Sequence, residues 1–389
     1  MTSHYIWPGQ VHVGFGAARR AGEAARAEGA RRVFLLADGN VVAAGLAEPL
    51  TQSLSAAGLS FVLYDKVVPN PDSASVDAAV AAFRASEADL IIGLGGGSAL
   101  DTAKATRLAA GGSPEGRIAE YALRLGEHAR PHPRQLPPFF AVPTTAGTGA
   151  EVTPWAVITD PAEKFKFGVG GPRSVPDMAL IDPELMLSMP AFLTAATGMD
   201  ALSHCVEAFV STNDNPILDP MILHGIALIG QHLPVAVARG ANREARHAMA
   251  QAALIGGVAI SSKWLGACHS LAHQLSGFAN VQHGLANAIM LPHQMAYSLP
   301  GAMERYAQIG AALGAPQDGG LRRRAEATVE AVAQLSRDVG LPARLRDVGV
   351  DEALIPEMAK YAYSVDLNWW TNPRSVSEVV MEQLYRAAY

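Results

Sequence analysis

The chain has 389 residues, 49% hydrophobic and only 17% charged, which is enough apolar mass for two cored domains. A net charge of −6 with no long basic run argues against a nucleic-acid partner, and two cysteines, Cys205 and Cys268, cannot build a disulfide framework. Met1 to Gln10 lacks the basic-then-apolar pattern of a signal peptide, so a cytoplasmic protein is expected.

In chain order, Val11–Phe15 is a short alternating run and Ala17–Glu28 an alanine-rich helix. Arg32–Ala37 reads as a compact apolar strand, Val41–Ala57 as a helix, Phe61–Tyr64 as a strand and Ser73–Ser86 as a helix. Leu90–Leu94 is a buried strand that runs straight into glycines. Strands apolar on both faces, alternating with helices, predict a parallel α/β sheet covered on each side. Proline-rich Pro131–Pro138 is a connection, Phe139–Val142 the next strand, and Trp155–Thr159 and Met178–Ile181 further strands. From about Pro190 the pattern becomes long, Ala- and Leu-rich and helical. The uncharged stretch Pro220–Ala238 is long enough to cross a bilayer, but it holds Pro220, His224, Gln231, His232 and Pro234. It reads as a buried helix interrupted by proline, with no membrane partner. The expected division is an α/β domain over residues 1–187 and a helical domain over 188–389.

Gly95-Gly96-Gly97-Ser98 follows a strand and precedes a helix beginning near Leu100. Glycines let the backbone approach phosphates, and free N–H groups at a helix start attract an anion. The spacing is not G-x-G-x-x-G, so a tight turn with no ligand is an alternative. Pro143-Thr144-Thr145-Ala146-Gly147-Thr148-Gly149 also follows a strand and offers hydroxyls for phosphate, ribose or amide. Two such loops at strand C-termini are where open α/β sheets bind ligands. Asp38 ends the Arg32–Ala37 strand, where a carboxylate can accept from both ribose hydroxyls and repel a 2′-phosphate, favouring NAD; in Asp38-Gly39-Asn40 it is equally a turn residue.

Asp200 and His204 are four residues apart, as are His269 and His273, and His283 begins His283-Gly284-Leu285-Ala286-Asn287. Spacing of four puts two side chains on one helix face. Lone histidines on apolar helices are usually satisfied core residues, but this many beside an Asp–His pair point to a metal. Spacing alone nominates His269 with His273 and leaves His283 open. Cys205 and Cys268, each one residue from a histidine, turn about 100° away and read as small hydrophobes.

Together these motifs, with Asp101 after the glycines and Gly198-Met199-Asp200-Ala201, resemble the iron-containing (group III) alcohol dehydrogenases over essentially the whole chain. The resemblance implies a Rossmann-like N-terminal domain that binds the dinucleotide and an all-α C-terminal domain that binds the metal. It implies Asp200, His204, His269 and His283 as the metal ligands, with His273 near the nicotinamide as a catalytic proton relay instead. It also implies Asn70 and Lys166, in Glu163-Lys164-Phe165-Lys166, on the cofactor side with Gly95, Gly96, Gly97, Ser98, Asp101, Thr144, Thr145 and Thr148. Trp155 resembles part of the substrate pocket. Departures from the family pattern lie at Lys263-Trp264 and at Trp369-Trp370, which either wall the pocket or pack between helices.

The expected reaction is reversible NAD-linked hydride transfer between a primary alcohol, or an ω-hydroxy acid, and its aldehyde; the donor set suits Fe²⁺ and Zn²⁺ alike as the ion that polarises the oxygen, and the resemblance implies Fe²⁺. A homodimer or larger homo-oligomer is expected. Alternatives on the same fold are a hydroxyacid–oxoacid transhydrogenase and a dehydroquinate-synthase-like lyase. Lys263, six residues before His269, either pairs with an anionic substrate group or lays its stem on apolar surface while its head reaches solvent.

Overall fold

A computed structural model describes residues 3–112, 116–123, 131–133, 135–160 and 165–389. Met1 and Thr2, Arg134 of the proline-rich connection, and Glu163 and Lys164 before Lys166 lie outside the described residues. The chain forms two compact units, Trp7–Thr145 with Ala150–Met186, and Leu187–Tyr389 with Met1–Ile6 and Ala146–Gly149. A single cut near residue 187 therefore omits two short excursions, because composition does not say on which unit a loop packs.

The first unit carries β1 (Gln10–Val13), β2 (Arg32–Asp38), β3 (Ser60–Val67), β4 (Leu90–Gly95), β5 (Phe139–Pro143), β6 (Trp155–Asp160), β7 (Phe165–Gly170) and β8 (Met178–Ile181). Six of them form one parallel sheet in the order β1-β8-β5-β4-β2-β3. Helices α1 (Ala21–Ala27), α2 (Gly39–Ala43), α3 (Glu48–Ala56), α4 (Ser73–Ser86) and α5 (Gly97–Ala110) connect them. Alternate residues of each strand feed two different cores, as the two-residue period of a strand requires. Val33, Leu35, Ile92, Leu94 and Phe140 pack with α1 and α3, while Phe34, Leu36, Ile91, Phe139 and Ala141 pack with α4 and α5. Trp155–Thr159 is a strand, but β6 pairs antiparallel with β7 in a separate two-stranded sheet.

The second unit contains α6 (Ala191–Val210), α7 (Asp219–Ala238), α8 (Arg243–Lys263), α9 (Ala267–Ala279), α10 (His283–Ser298), α11 (Met303–Leu313), α12 (Leu321–Asp338), α13 (Ile355–Ser364) and α14 (Glu378–Ala388). Every residue of α6 from Thr194 to Val210 is buried, because α7, α8 and α10 sheathe it. A helix buried all round turns no face to solvent, so its polar face, with Asp200, His204 and Glu207, is turned inward. In α7, Ile222, Ile226, Ile229 and Leu233 form the buried stripe, and Pro234 lies inside the helix without ending it. By length and composition α7 is apolar enough to cross a membrane, and here it packs along α6, α8 and α11.

Candidate active site

The fold brings both glycine- and threonine-bearing loops to the C-terminal end of the parallel sheet. Gly95 ends β4 at φ +148°, and a Cβ there would stand 2.6 Å from the Ala99 Cβ on α5, so only glycine permits this sharp entry into the helix. The Thr144 amide donates to the Gly95 carbonyl at 3.0 Å, which ties the threonine loop to the glycine loop. Thr145 lies beside Gly96, while Thr148 falls in the excursion that belongs to the helical unit.

Around these loops the cofactor-side residues gather. Asn70, in left-handed backbone at φ +49°, donates its amide to Ser98 Oγ at 3.2 Å and accepts from Lys166 Nζ at 3.0 Å. Burial brings the Lys166 ammonium down to about 8 against the opposing charge of Asp101. Asp101 accepts from the Val157 amide at 3.0 Å and is therefore committed to β6. Lys104, unremarked in the sequence, is buried beneath the loop and donates to Thr153 Oγ1 and to the Trp155 carbonyl, both at 2.8 Å. Trp155 is thus fixed at the start of β6 by its backbone. Asp38 caps α2: its Oδ1 accepts from the Asn40 and Val41 amides at 2.8 and 3.0 Å. The turn role is real, and it engages Oδ1 alone among the carboxylate oxygens in these bonds.

In the helical unit, α6 presents Asp200 and His204 one turn apart, α9 presents His269, and α10 begins at His283. A Cβ on Gly284 would stand 2.3 Å from the Ala196 carbonyl, so glycine lets α10 approach α6 closely enough to place His283 beside Asp200. The Nε2 atoms of His204, His269 and His283 lie 3.8, 3.8 and 3.5 Å from one oxygen, Asp200 Oδ1. These separations are long for hydrogen bonds. They approach the spacing of about 3.4 Å between donors that share a tetrahedral ion with bonds of about 2.1 Å. The ligand atoms of Asp200, His269 and His283 all lie within 4.8 Å of one another.

Asn287, one turn beyond His283, supports the same reading. Its Nδ2 donates to Asp200 Oδ1 at 2.7 Å and stands 3.1 and 3.2 Å from the Nε2 atoms of His269 and His283. A point that gathers a carboxylate oxygen and several imidazole lone pairs around a donor suits a cation. Burial pushes His269 well below the ordinary imidazole value, which keeps it in the neutral form that can ligate a metal. Burial works to raise Asp200, but His204, His283 and His269 and the Asn287 amide outweigh it and hold the carboxyl low.

Two buried carboxylates stand behind the histidines, and the sequence reading named neither. Glu207 Oε2 bonds His269 Nδ1, and Asp366 Oδ2 lies 2.6 Å from His273 Nδ1. Asp366 also accepts from Ser270 Oγ at 2.9 Å and from the Asn368 amide at 2.9 Å. The His273 ring stacks on that of His283 with centroids 5.3 Å apart. Glu207 was findable, since it follows Asp200 and His204 at seven and three residues on the same helix face. Asp366, 93 residues from His273, leaves no local signal.

Both expectations for Lys263, an anionic substrate partner and a head in solvent, need correction. Its side chain is fully buried at the end of α8, and Nζ donates to Asp219 Oδ1 at 2.9 Å. Arg305 holds the other Asp219 oxygen at 2.9 Å. A buried ammonium without a partner would be costly, so the fold commits it to Asp219. Trp264, next in the chain, takes left-handed backbone at φ +69°. Trp369 stacks on Tyr363 with centroids 4.9 Å apart, and its indole N–H donates to the Tyr363 carbonyl at 2.9 Å. Its backbone N–H donates to Ser270 Oγ at 3.1 Å, which ties the tryptophan pair to α9, while Trp370 is largely exposed.

Comparison with known proteins gives the same order of parts. Residues 8–183 match the model for iron-containing alcohol dehydrogenase, and residues 194–389 match the C-terminal model of the Fe-containing alcohol dehydrogenase family. The chain belongs to the iron-containing alcohol dehydrogenase family. It is 39% identical to a 1,3-propanediol dehydrogenase of Citrobacter freundii over 388 residues, 99% of this chain and 98% of that protein. It is 37% identical to an NAD-dependent methanol dehydrogenase of Bacillus methanolicus over the full length of both. Among solved structures, a 1,3-propanediol oxidoreductase superposes with a TM-score of 0.95 at 38% identity, covering all of both chains. The family member described here is an oxidoreductase acting on small molecules, with the family's α/β and helical domains.

Proposed function

We propose that this iron-containing alcohol dehydrogenase interconverts a small primary alcohol and its aldehyde with NAD(H), and that Asp200, His204, His269 and His283 hold its divalent metal. The observation that carries this reading is the convergence of imidazole Nε2 atoms on Asp200 Oδ1. When bound there, a divalent ion supplies Lewis acidity toward an alcohol or carbonyl oxygen. Nicotinamide supplies or accepts the hydride.

The protein's own groups do the rest. Asp366 engages His273 Nδ1, which leaves Nε2 as the ring position for taking or releasing the alcohol proton. The Gly95 to Ser98 loop that leads from β4 into α5 would hold the pyrophosphate, and Asn70, Lys166 and the threonine hydroxyls would orient the nucleotide. Names of relatives, a propanediol and a methanol dehydrogenase, support a short alcohol. Nitrogen and oxygen donors suit iron and zinc alike; the family description favours iron. Metal analysis of protein purified without added metal tests this, and full activity with stoichiometric zinc would overturn iron. The decisive assay follows NADH absorbance with short aliphatic, hydroxy-substituted and carboxylate-bearing aldehydes. Absence of net NADH turnover with every aldehyde would replace the dehydrogenase with the transhydrogenase or lyase chemistry.

Asp38 carries a prediction on cofactor choice. Asp38→Gly should raise kcat/KM with NADPH relative to NADH, because the carboxylate no longer repels a 2′-phosphate. Glycine at an N-cap costs only a few tenths of a kcal/mol relative to aspartate, so the variant should remain folded. An unmodified enzyme that already prefers NADPH would remove Asp38 from the ribose role.

A further inference from the structure

We propose that Glu207 is a positioning residue for the metal: anchored on the first amides of α9, it fixes the rotation and the tautomer of His269. The inference rests on the metal reading above and concerns a residue outside the ligand set.

The geometry gives Glu207 two partners of different kinds. One carboxylate oxygen, Oε1, accepts from the Cys268 amide at 2.8 Å, and the amides of Gly266 and His269 also bond the group. Glu207 thus caps the N-terminus of α9, where the free amides and the helix dipole favour an anion. Its position depends on Gly266, whose Cβ would stand 2.6 Å from Oε1. The other oxygen, Oε2, meets His269 Nδ1. Both side chains are buried.

Because Oε2 is an acceptor, Nδ1 carries the ring proton, and the lone pair resides on Nε2, the atom that faces Asp200. One helix terminus therefore sets the rotation of the ligand and its protonated nitrogen together.

Glu207→Gln separates this role from a helix cap. The amide keeps the shape and one oxygen, but it replaces one of two acceptors with a donor. Either the Cys268 amide or the His269 Nδ1–H loses its acceptor, and if the ring loses, the proton moves to Nε2 and blocks ligation. Full-length protein as purified is challenged with a chelator, and bound metal is measured alongside the melting midpoint. The expected result is metal release at 10- to 100-fold lower chelator concentration, the range for groups that orient ligating histidines. Unchanged metal retention with a lowered melting midpoint would show a helix cap only and overturn the proposal. Wild-type protein that retains no divalent metal would overturn the metal reading and this inference together, so the two failures are distinguishable.

Discussion

His283→Ala is expected to lose metal and turnover together, whereas His273→Ala keeps its metal and loses mainly kcat. The histidines adjoin, with rings stacked at 5.3 Å, but their partners differ. His283 Nε2 faces Asp200 Oδ1 at 3.5 Å among the proposed ligands, while His273 Nδ1 is turned to Asp366. Removing a ligand takes away Lewis acidity that contributes several kcal/mol, about 10³-fold in rate. Removing a proton-transfer group costs on the order of 10²–10⁴-fold and leaves the ligand set intact. His283 is the first residue of α10, so alanine interrupts no interior turn of that helix, and a melting midpoint recorded beside the metal content checks that the variant is folded. Metal content and kcat measured on the same preparations decide the matter. Loss of metal from His273→Ala with retention in His283→Ala would exchange the two roles.

Lys263→Met is expected to lower stability without changing substrate preference. The lysine is wholly buried and hydrogen-bonded to Asp219, so the substitution removes a charge-assisted bond of about 1.5–3 kcal/mol. Asp219 keeps Arg305, which spares it the larger penalty of an unpaired buried charge. Denaturant midpoints should fall accordingly, and kcat/KM should change by the same factor for anionic and neutral aldehydes. A selective loss for anionic aldehydes at unchanged stability would return the ammonium to the substrate.

What the sequence made legible follows from how local each signal is. Helix α4 was readable over its full length, because Asp72 and Ser75 form a capping box at its start. Strand β8 was readable because four buried residues in a row fit a parallel sheet. The helix expected over Val41–Ala57 is instead α2 and α3, since the chain turns at Gly45 in left-handed backbone. Strand β7 went unforeseen, its Gly168 and Gly170 hiding the alternation. Motif order brings the proposed metal residues together, but the proposed choice of His283 over His273 rests on family resemblance, because i,i+4 spacing cannot see Asp366. Helix spacing places Glu207 beside Asp200 and His204 but cannot pair it with His269, 62 positions away, and Asp366, 93 positions from His273, is beyond the reach of any periodicity.

The composition of α7 has a consequence for the chain as it is being made. Asp219 acquires its partners Lys263 and Arg305 only 44 and 86 residues later. The helix α11, which covers part of α7, ends 75 residues beyond Ala238. At about 5–20 residues per second, a stretch of that length takes roughly 4–15 s to synthesise. Throughout that interval a segment apolar enough to pass for a membrane span lacks the cover of α11, although α6 is already made and α8 is complete within 25 residues. The order of helices along the chain therefore leaves one flank of this apolar segment to be covered last, by α11, in every folding event.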